Sequence, residues 1–269
     1  MFRIPIFGND AANSLSFGSN ADFAFHVMAG GGNDYVRGGD LDDLLEGGSG
    51  DDDLRGGGGH DILRGGTGDD DLLGGEGNDV LHGGDGRDML AGDGGNDALH
   101  GGSGNDDLRS SEGNDALFGD AGNDWLRGEA DHDQLWGGSG ADTLIGGAGQ
   151  DTLTGGSGAD SFTFWRETDS QMQARDVIRD FEQGIDRIDL SLIDARDSGG
   201  GFSDFDDAFT FRGDRQFTGT AGELRYDIYV VGGGESVTIL RADTNGDRTA
   251  DLEVRIEGAF LLNVADFVL

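Results

Sequence analysis

Gly65-Gly66-Thr67-Gly68-Asp69-Asp70-Asp71-Leu72-Leu73 is followed at once by Gly74-Gly75-Glu76-Gly77-Asn78-Asp79-Val80-Leu81-His82. The two nonapeptides share one pattern: Gly at positions one, two and four, Asp at six and an apolar residue at eight. Fifteen such units run from Ala29 to Thr163 without insertion or deletion. Their sixth positions are Asp34, Asp43, Asp52, Asp61, Asp70, Asp79, Asp88, Asp97, Asp106, Asp115, Asp124, Asp133, Asp142, Asp151 and Asp160. Their eighth positions are Val36, thirteen leucines from Leu45 to Leu153, and Phe162. Each glycine inside a helix costs about 1 kcal/mol, so the array does not read as helical. Glycine permits a turn with positive φ, and the last three positions alternate as a short strand does, with residue eight inward. The unit therefore reads as a six-residue turn plus a three-residue strand.

Two units make one coil of 18 residues, and units i and i+2 stack on the same side at a strand spacing of about 4.8 Å. The predicted fold is all-β, a parallel β-roll, with sixth-position carboxylates facing shared gaps. Carboxylates and carbonyls in flexible geometry suit calcium, which takes six to eight oxygens, better than magnesium, which demands a strict octahedron. The expected ligands are the fifteen aspartates above. With them come the backbone carbonyls of Gly47, Gly50, Gly56, Gly59, Gly65, Gly68, Gly74, Gly77, Gly83, Gly86, Gly101, Gly104, Gly137, Gly140, Gly146, Gly149, Gly155 and Gly158. Fifteen units offer 15 − 2 = 13 gaps. The array's 30 acids and 6 arginines give −24, close to the +26 of thirteen Ca²⁺. The empty array should repel itself, and the loaded array should be nearly neutral. Glycines lapse at Leu41 and Asp131 (position four), at Asp93, Ser111, Asp120 and Glu129 (position two) and at Ser110 (position one), so residues 110–136 are expected to bind least.

The whole chain has 269 residues, 54 Gly, one Pro, no Cys and a formal net charge of −36. A surface this acidic repels nucleic acid and anionic membranes. No 18-residue apolar run exists to form a transmembrane helix. Without cysteine there is no disulfide framework. The opening Met1-Phe2-Arg3-Ile4-Pro5-Ile6-Phe7 is too short an apolar run for a Sec signal peptide, so the expectation is a cytosolic protein or export by a route that does not read the N-terminus.

Three segments are expected. Residues 1–28 form a lead-in and cap with strand-like alternation at Ser14–Phe17 and Phe23–Phe25. Residues 29–163 are the roll. Residues 164–269 lose the period and gain a core from Phe181, Phe205, Phe209, Phe211, Phe217, Phe260 and Phe267. Strands are expected there at Arg187–Leu190, Arg225–Val231, Ser236–Leu240 and Leu252–Ile256, with one helix near Gln171–Asp180. On the roll, one outward face carries Asp53, Arg55, Asp71, Asp107, Arg109 and Arg127. The other carries Ile62, Val80, Ala98 and Ala116, with His82, His100, Phe118 and Trp136 in one row, read as packed or mildly exposed rather than as a transition-metal site.

The unit G-G-x-G-x-D-x-U-x resembles the calcium-binding nonapeptide of RTX (repeats-in-toxin) proteins, which implies a right-handed calcium-bound solenoid. Residues 155–191, with Asp176-Val-Ile-Arg-Asp-Phe-Glu-Gln-Gly-Ile-Asp186-Arg-Ile-Asp-Leu-Ser191, resemble the junction between β-roll and C-terminal secretion domain of serralysins. Ala242–Gly258 and the tail Asp266-Phe267-Val268-Leu269 are similar to that domain and its export signal. The resemblance implies a secreted, extracellular protein whose partner is type I secretion machinery; it names no extracellular target. Asp243, Asn245, Asp247 and Asp251 resemble the start of an EF-hand loop, but Arg248 stands where that loop needs Gly and Val254 where it needs Glu. They are weaker calcium candidates beside a plain acidic turn. The serralysin zinc motif H-E-x-x-H and the G-x-S-x-G elbow are both absent from the sequence, so the protease activity does not transfer. The expectation is a non-enzymatic calcium-binding protein or, alternatively, the carrier module of an extracellular metalloprotease or alginate-modifying enzyme.

Overall fold

A computed structural model describes residues 3–18, 23–166, 169–171, 174–193 and 209–269. Phe205, expected in the C-terminal core, lies outside them. The described chain forms a parallel β-solenoid of two facing sheets, with no α-helix and a single 3₁₀ turn at Val264–Asp266. Strands alternate between sheets along the chain, as a two-unit coil requires. One sheet takes Ile62–Thr67, Val80–Asp85, Ala98–Ser103 and Ala116–Ala121 in order; the other takes Asp53–Gly58, Asp71–Glu76, Met89–Gly94 and Asp107–Glu112.

The register is 18 residues throughout the array: Leu63 lies beside Leu81, Leu81 beside Leu99 and Leu99 beside Leu117. Eighth-position side chains are thereby stacked between the sheets, leucine on leucine except at Val36 and Phe162. All fifteen are buried, and Leu90, the most accessible, is 2% exposed. A column of identical leucines fills this narrow core because successive coils are identical in backbone; each full burial contributes about 1.5–3 kcal/mol.

The strands are six residues long where the spacing predicts three. They continue through positions one to three of the next unit, as in Asp53-Leu54-Arg55-Gly56-Gly57-Gly58, leaving a tighter turn than expected. Two consecutive glycines do not end the strand, because their backbone groups carry on the parallel ladder and pair Gly57 with Gly75. The second position explains its own glycine. At Gly66 φ is +120°, and a Cβ would collide with the Gly48 carbonyl one coil below. Where glycine is missing the path survives: Asp93, Ser111, Asp120 and Glu129 hold φ of +70°, +90°, +69° and +78°. Such left-handed non-glycine residues cost about 1–2 kcal/mol each and persist because the neighbouring coils fix the backbone.

Both ends continue the same core. Arg3–Asn9 pairs in parallel with Ala24–Gly31, and Ser14–Ser16 with Tyr35–Arg37, aligning Leu15 with Val36. Beyond the array, Val177–Ile178 pairs with Thr152–Leu153, Arg187–Asp189 with Ser161–Thr163, and Phe267–Val268 with Ile188–Asp189. The helix expected near Gln171–Asp180 is not formed. Met172 and Gln173 lie outside the described residues, Gln171 and Ala174 form an isolated bridge, and Val177–Ile178 is a strand. The free edge of the roll offers unpaired backbone groups and an open apolar end. Pairing there satisfies both, which outweighs weak local helix preference. An antiparallel sheet of Glu223–Val230, Ser236–Asp243 and Leu252–Glu257 extends the larger sheet through Val177–Ile178. One hydrophobic cluster runs from Phe25 through the leucine column to Phe162, Ile178, Ile188 and Phe267.

Because each leucine touches the coil above and the coil below, a single truncation should weaken three coils. Leu99→Ala is expected to destabilise the folded roll by about 2–5 kcal/mol in chemical denaturation, whereas Met89→Ala, at an exposed outward position, should change it by less than about 0.5 kcal/mol.

Candidate metal centre

Each sixth-position aspartate stands at the end of a turn, where its carboxylate reaches the adjacent coil. One oxygen, Oδ1, accepts the backbone N–H of the aspartate 18 residues earlier. The bonds run Asp34→Asp52, Asp52→Asp70 and Asp70→Asp88 at 2.8 Å on one side, and Asp43→Asp61 and Asp61→Asp79 at 2.7 Å on the other. Two unbroken ladders result, one per edge of the roll. They extend past the array: Asp176 accepts from Asp151 at 2.9 Å and Asp186 accepts from Asp160 at 3.0 Å. Asn13 donates its N–H to Asp34 at the other end.

The second oxygen is the informative one. Fourteen of the fifteen array aspartates, and Asp176 as well, keep a buried Oδ2 with no hydrogen-bond partner. A buried carboxylate oxygen left unpaired costs several kcal/mol unless a cation meets it. Where position one is glycine, Oδ2 lies against the space a Cβ there would fill, and in most of these units the carbonyl of the first glycine one coil on borders the same space. A Cβ on Gly56 would strike both Asp61 Oδ2 and the Gly74 carbonyl; on Gly83, Asp88 Oδ2 and the Gly101 carbonyl; on Gly137, Asp142 Oδ2 and the Gly155 carbonyl. Position one is therefore glycine to keep this cradle open. The expected carbonyls of Gly65, Gly74, Gly101, Gly146 and Gly155 do converge with carboxylates. Those of the fourth-position glycines lie closest to their own column, Gly50 against Gly68 and Gly68 against Gly86.

Asp43 is the exception, its Oδ2 accepting the Gly39 N–H at 2.8 Å. Its unit is the one with Leu41 at position four. Among the described residues no three His, Cys, Asp or Glu side chains converge on a point. A hard cation here would be held by carboxylates with backbone carbonyls, the donor set calcium accepts.

Sequence reading missed two ladder positions, Asp176, whose Oδ2 is left unpaired, and Asp186, whose Oδ2 accepts the Glu182 N–H at 2.7 Å. Both keep the D-x-U end of the unit, as Asp176-Val177-Ile178 and Asp186-Arg187-Ile188, and that fragment is the signal that could have found them. It also missed a second ladder at position five, where the side chain caps the backbone N–H one coil on. Asn78 bonds Asn96 at 2.9 Å, and His60 Nδ1 accepts from Asn78 at 2.8 Å. The weaker candidates serve their own loop. Asp243, wholly buried, accepts the N–H groups of Gly246 and Arg248 at 2.7 and 2.9 Å; Asp251 binds the Thr244 N–H and the Asn245 amide; Asn245 accepts from Asp247; Asp247 accepts from Thr249. On the outer face His82, His100, Phe118 and Trp136 stack ring on ring, with centroids 4.9, 4.5 and 4.5 Å apart, half-buried by one another.

A model of the peptidase M10 serralysin C-terminal family matches residues 41–269. The chain belongs to this family. Its repeat array is an RTX-type β-roll, and β-rolls of this serralysin type are calcium-binding modules. Two solved structures are similar to it, both solution structures from the Azotobacter vinelandii mannuronan C5-epimerase. The AlgE6R3 subunit is 27% identical and is aligned over 65% of this chain and 78% of its own, with a TM-score of 0.38. The AlgE6R2 subunit is 25% identical and is aligned over 63% and 90%, with a TM-score of 0.35.

Electrostatics of the serralysin-type roll follow from the ladders. Without a cation, burial pushes Asp61 and Asp133 up to about 8 and Asp70, Asp97 and Asp124 up to about 7; neighbouring aspartates add to the rise and the ladder N–H groups oppose it. Asp52, Asp88 and Asp160 rise to about 6 for the same reasons. Folded values above the unfolded 3.8 mean that the metal-free roll holds more protons than the unfolded chain. Its stability is therefore greatest at low pH and is lost as pH rises from about 4 to about 8, at about 1.4 kcal/mol per carboxylate for each pH unit its folded value is raised. Circular dichroism of calcium-stripped protein should show more strand at pH ~4.5 than at pH ~8. Calcium affinity of the folded roll should rise with pH over the same range, because protons and cations compete for Oδ2. Equal strand content across this range would contradict the buried placement of these carboxylates.

Proposed function

We propose that this chain is a calcium-folded extracellular module without catalytic chemistry of its own, exported by a type I route. One observation carries the reading: the in-phase series of buried, unpaired Oδ2 atoms, most of them facing a glycine cradle, within an array of charge −24. The fifteen aspartates Asp34 through Asp160 and the first-position glycine carbonyls are the proposed ligands, with Asp176 added from the ladder. Thirteen gaps set the array's upper count. Calcium supplies a divalent charge that the neutral turns cannot; the chain itself supplies aligned carboxylates and a dry leucine column behind them.

The tail fits an order of events. Phe267–Val268 pairs with Ile188–Asp189, Phe267 is buried, and Leu190 donates its N–H to Val268 at 2.9 Å. An exporter that reads Asp266–Leu269 would have to do so before the roll closes. The bacterial cytosol is poor in calcium, while sites of about 10⁻⁴–10⁻³ M affinity fill outside. Folding and export are then separated by the same ion.

The family match is to the C-terminal part of a peptidase, which favours a second reading, a carrier module whose catalytic partner is a separate domain or chain. Casein and alginate turnover assays on the purified, calcium-loaded chain separate the two: turnover by this chain alone overturns the non-catalytic reading.

The main test is folding itself. In EDTA at neutral pH the chain should lack the β signal, and millimolar calcium should restore it cooperatively; a roll fully folded in EDTA sinks the proposal. Asp97→Ala removes an Oδ2 and the acceptor of the Asp79 N–H, and should raise the calcium midpoint about tenfold.

A further inference from the structure

Position one of the unit is glycine from Gly38 to Gly155 with a single break, Ser110. Elsewhere the missing side chain leaves open the space between a carboxylate Oδ2 and a carbonyl. At Gly101 that space is bounded by Asp106 Oδ2 and the Gly119 carbonyl, and at Gly119 by Asp124 Oδ2 and the Gly137 carbonyl. The corresponding groups for position 110 are Asp115 and the Gly128 carbonyl. Ser110 is wholly buried, and its hydroxyl donates to the Gly128 carbonyl at 3.0 Å. The Ser110 side chain thus occupies the position that is open in the glycine units and engages the carbonyl side of the gap, while Asp115 Oδ2 keeps no hydrogen-bond partner. The next residue, Ser111, holds φ +90°, in the positive range its glycine counterparts occupy.

We propose that the gap bounded by Ser110, Asp115 and Gly128 takes no calcium, its place being filled by the Ser110 hydroxyl, which clamps two coils with a neutral hydrogen bond. A hydroxyl bridge does not depend on calcium, so the closure of this junction is set by sequence rather than by the ion. The inference rests on the calcium reading above and sharpens it, because lapses at position two keep an open cradle while a lapse at position one fills it. Glu129 illustrates the contrast: it sits at positive φ, yet Gly128 beside it still faces Asp133 Oδ2 and the Gly146 carbonyl.

The test is bound calcium per chain at saturation, by equilibrium dialysis with metal analysis, for the full chain and two variants. Ser110→Gly is expected to bind one calcium more than the unaltered chain. The converse, Gly101→Ser, transplants the hydroxyl into an open cradle and is expected to bind one fewer while still folding in calcium, as the chain already tolerates Ser at 110. Equal, non-zero counts in all three overturn the hydroxyl clamp and leave the calcium reading standing. No bound calcium in any of them overturns both.

Discussion

The structure depends on one constraint: identical backbone groups must meet at an interval of 18 residues, with a carboxylate at every meeting point. Oδ1 of each sixth-position aspartate takes the N–H one coil below, which fixes register between coils. Oδ2 is then driven inside with nothing to bond. A parallel pairing that slipped by one residue would turn every leucine outward and every carboxylate out of its gap. The same bond therefore sets the fold and creates the need for a cation. Without a cation, like charges accumulate along two edges of the roll.

This arrangement divides labour among the nine positions. Position eight supplies apolar burial, position six the carboxylate, and position one the space in front of it. Position two supplies backbone freedom and clearance from the carbonyl one coil below, yet Asp, Ser and Glu hold positive φ there where the glycine is missing. Position five adds a polar side chain that caps the adjacent coil. Lapses in the repeat are consequently unequal, since a substituent at position two strains the backbone while one at position one enters the cradle itself. Leu41 is a third kind, altering its turn so that the Gly39 N–H reaches Asp43 Oδ2.

The β-roll, the stacked leucine column, the outward aromatic row and the serralysin-type C-terminal region were all legible in the sequence, because a strict period forces every copy into one environment. The strand length was not. Glycine is a poor strand former alone, and only the neighbouring coils make Gly56-Gly57-Gly58 part of a ladder. The segment around Asp176 read as helix because its local pattern is short and its partner, Thr152–Leu153, is distant in the chain. Asp176 and Asp186 escaped notice because the spacing from the preceding ladder partner is 25 and 26 residues, not 18.

The sequence by itself determined the period, and with it the coil, the buried column and the line of carboxylates, since these follow from residue type and spacing alone. Tertiary structure decided which oxygen of each carboxylate is satisfied and which is left over. It also decided that both flanking segments join the same core and that Ser110 fills a space its glycine counterparts leave open. Those outcomes depend on atoms one coil away, and a nine-residue pattern specifies that a neighbour exists without specifying which of its atoms point inward.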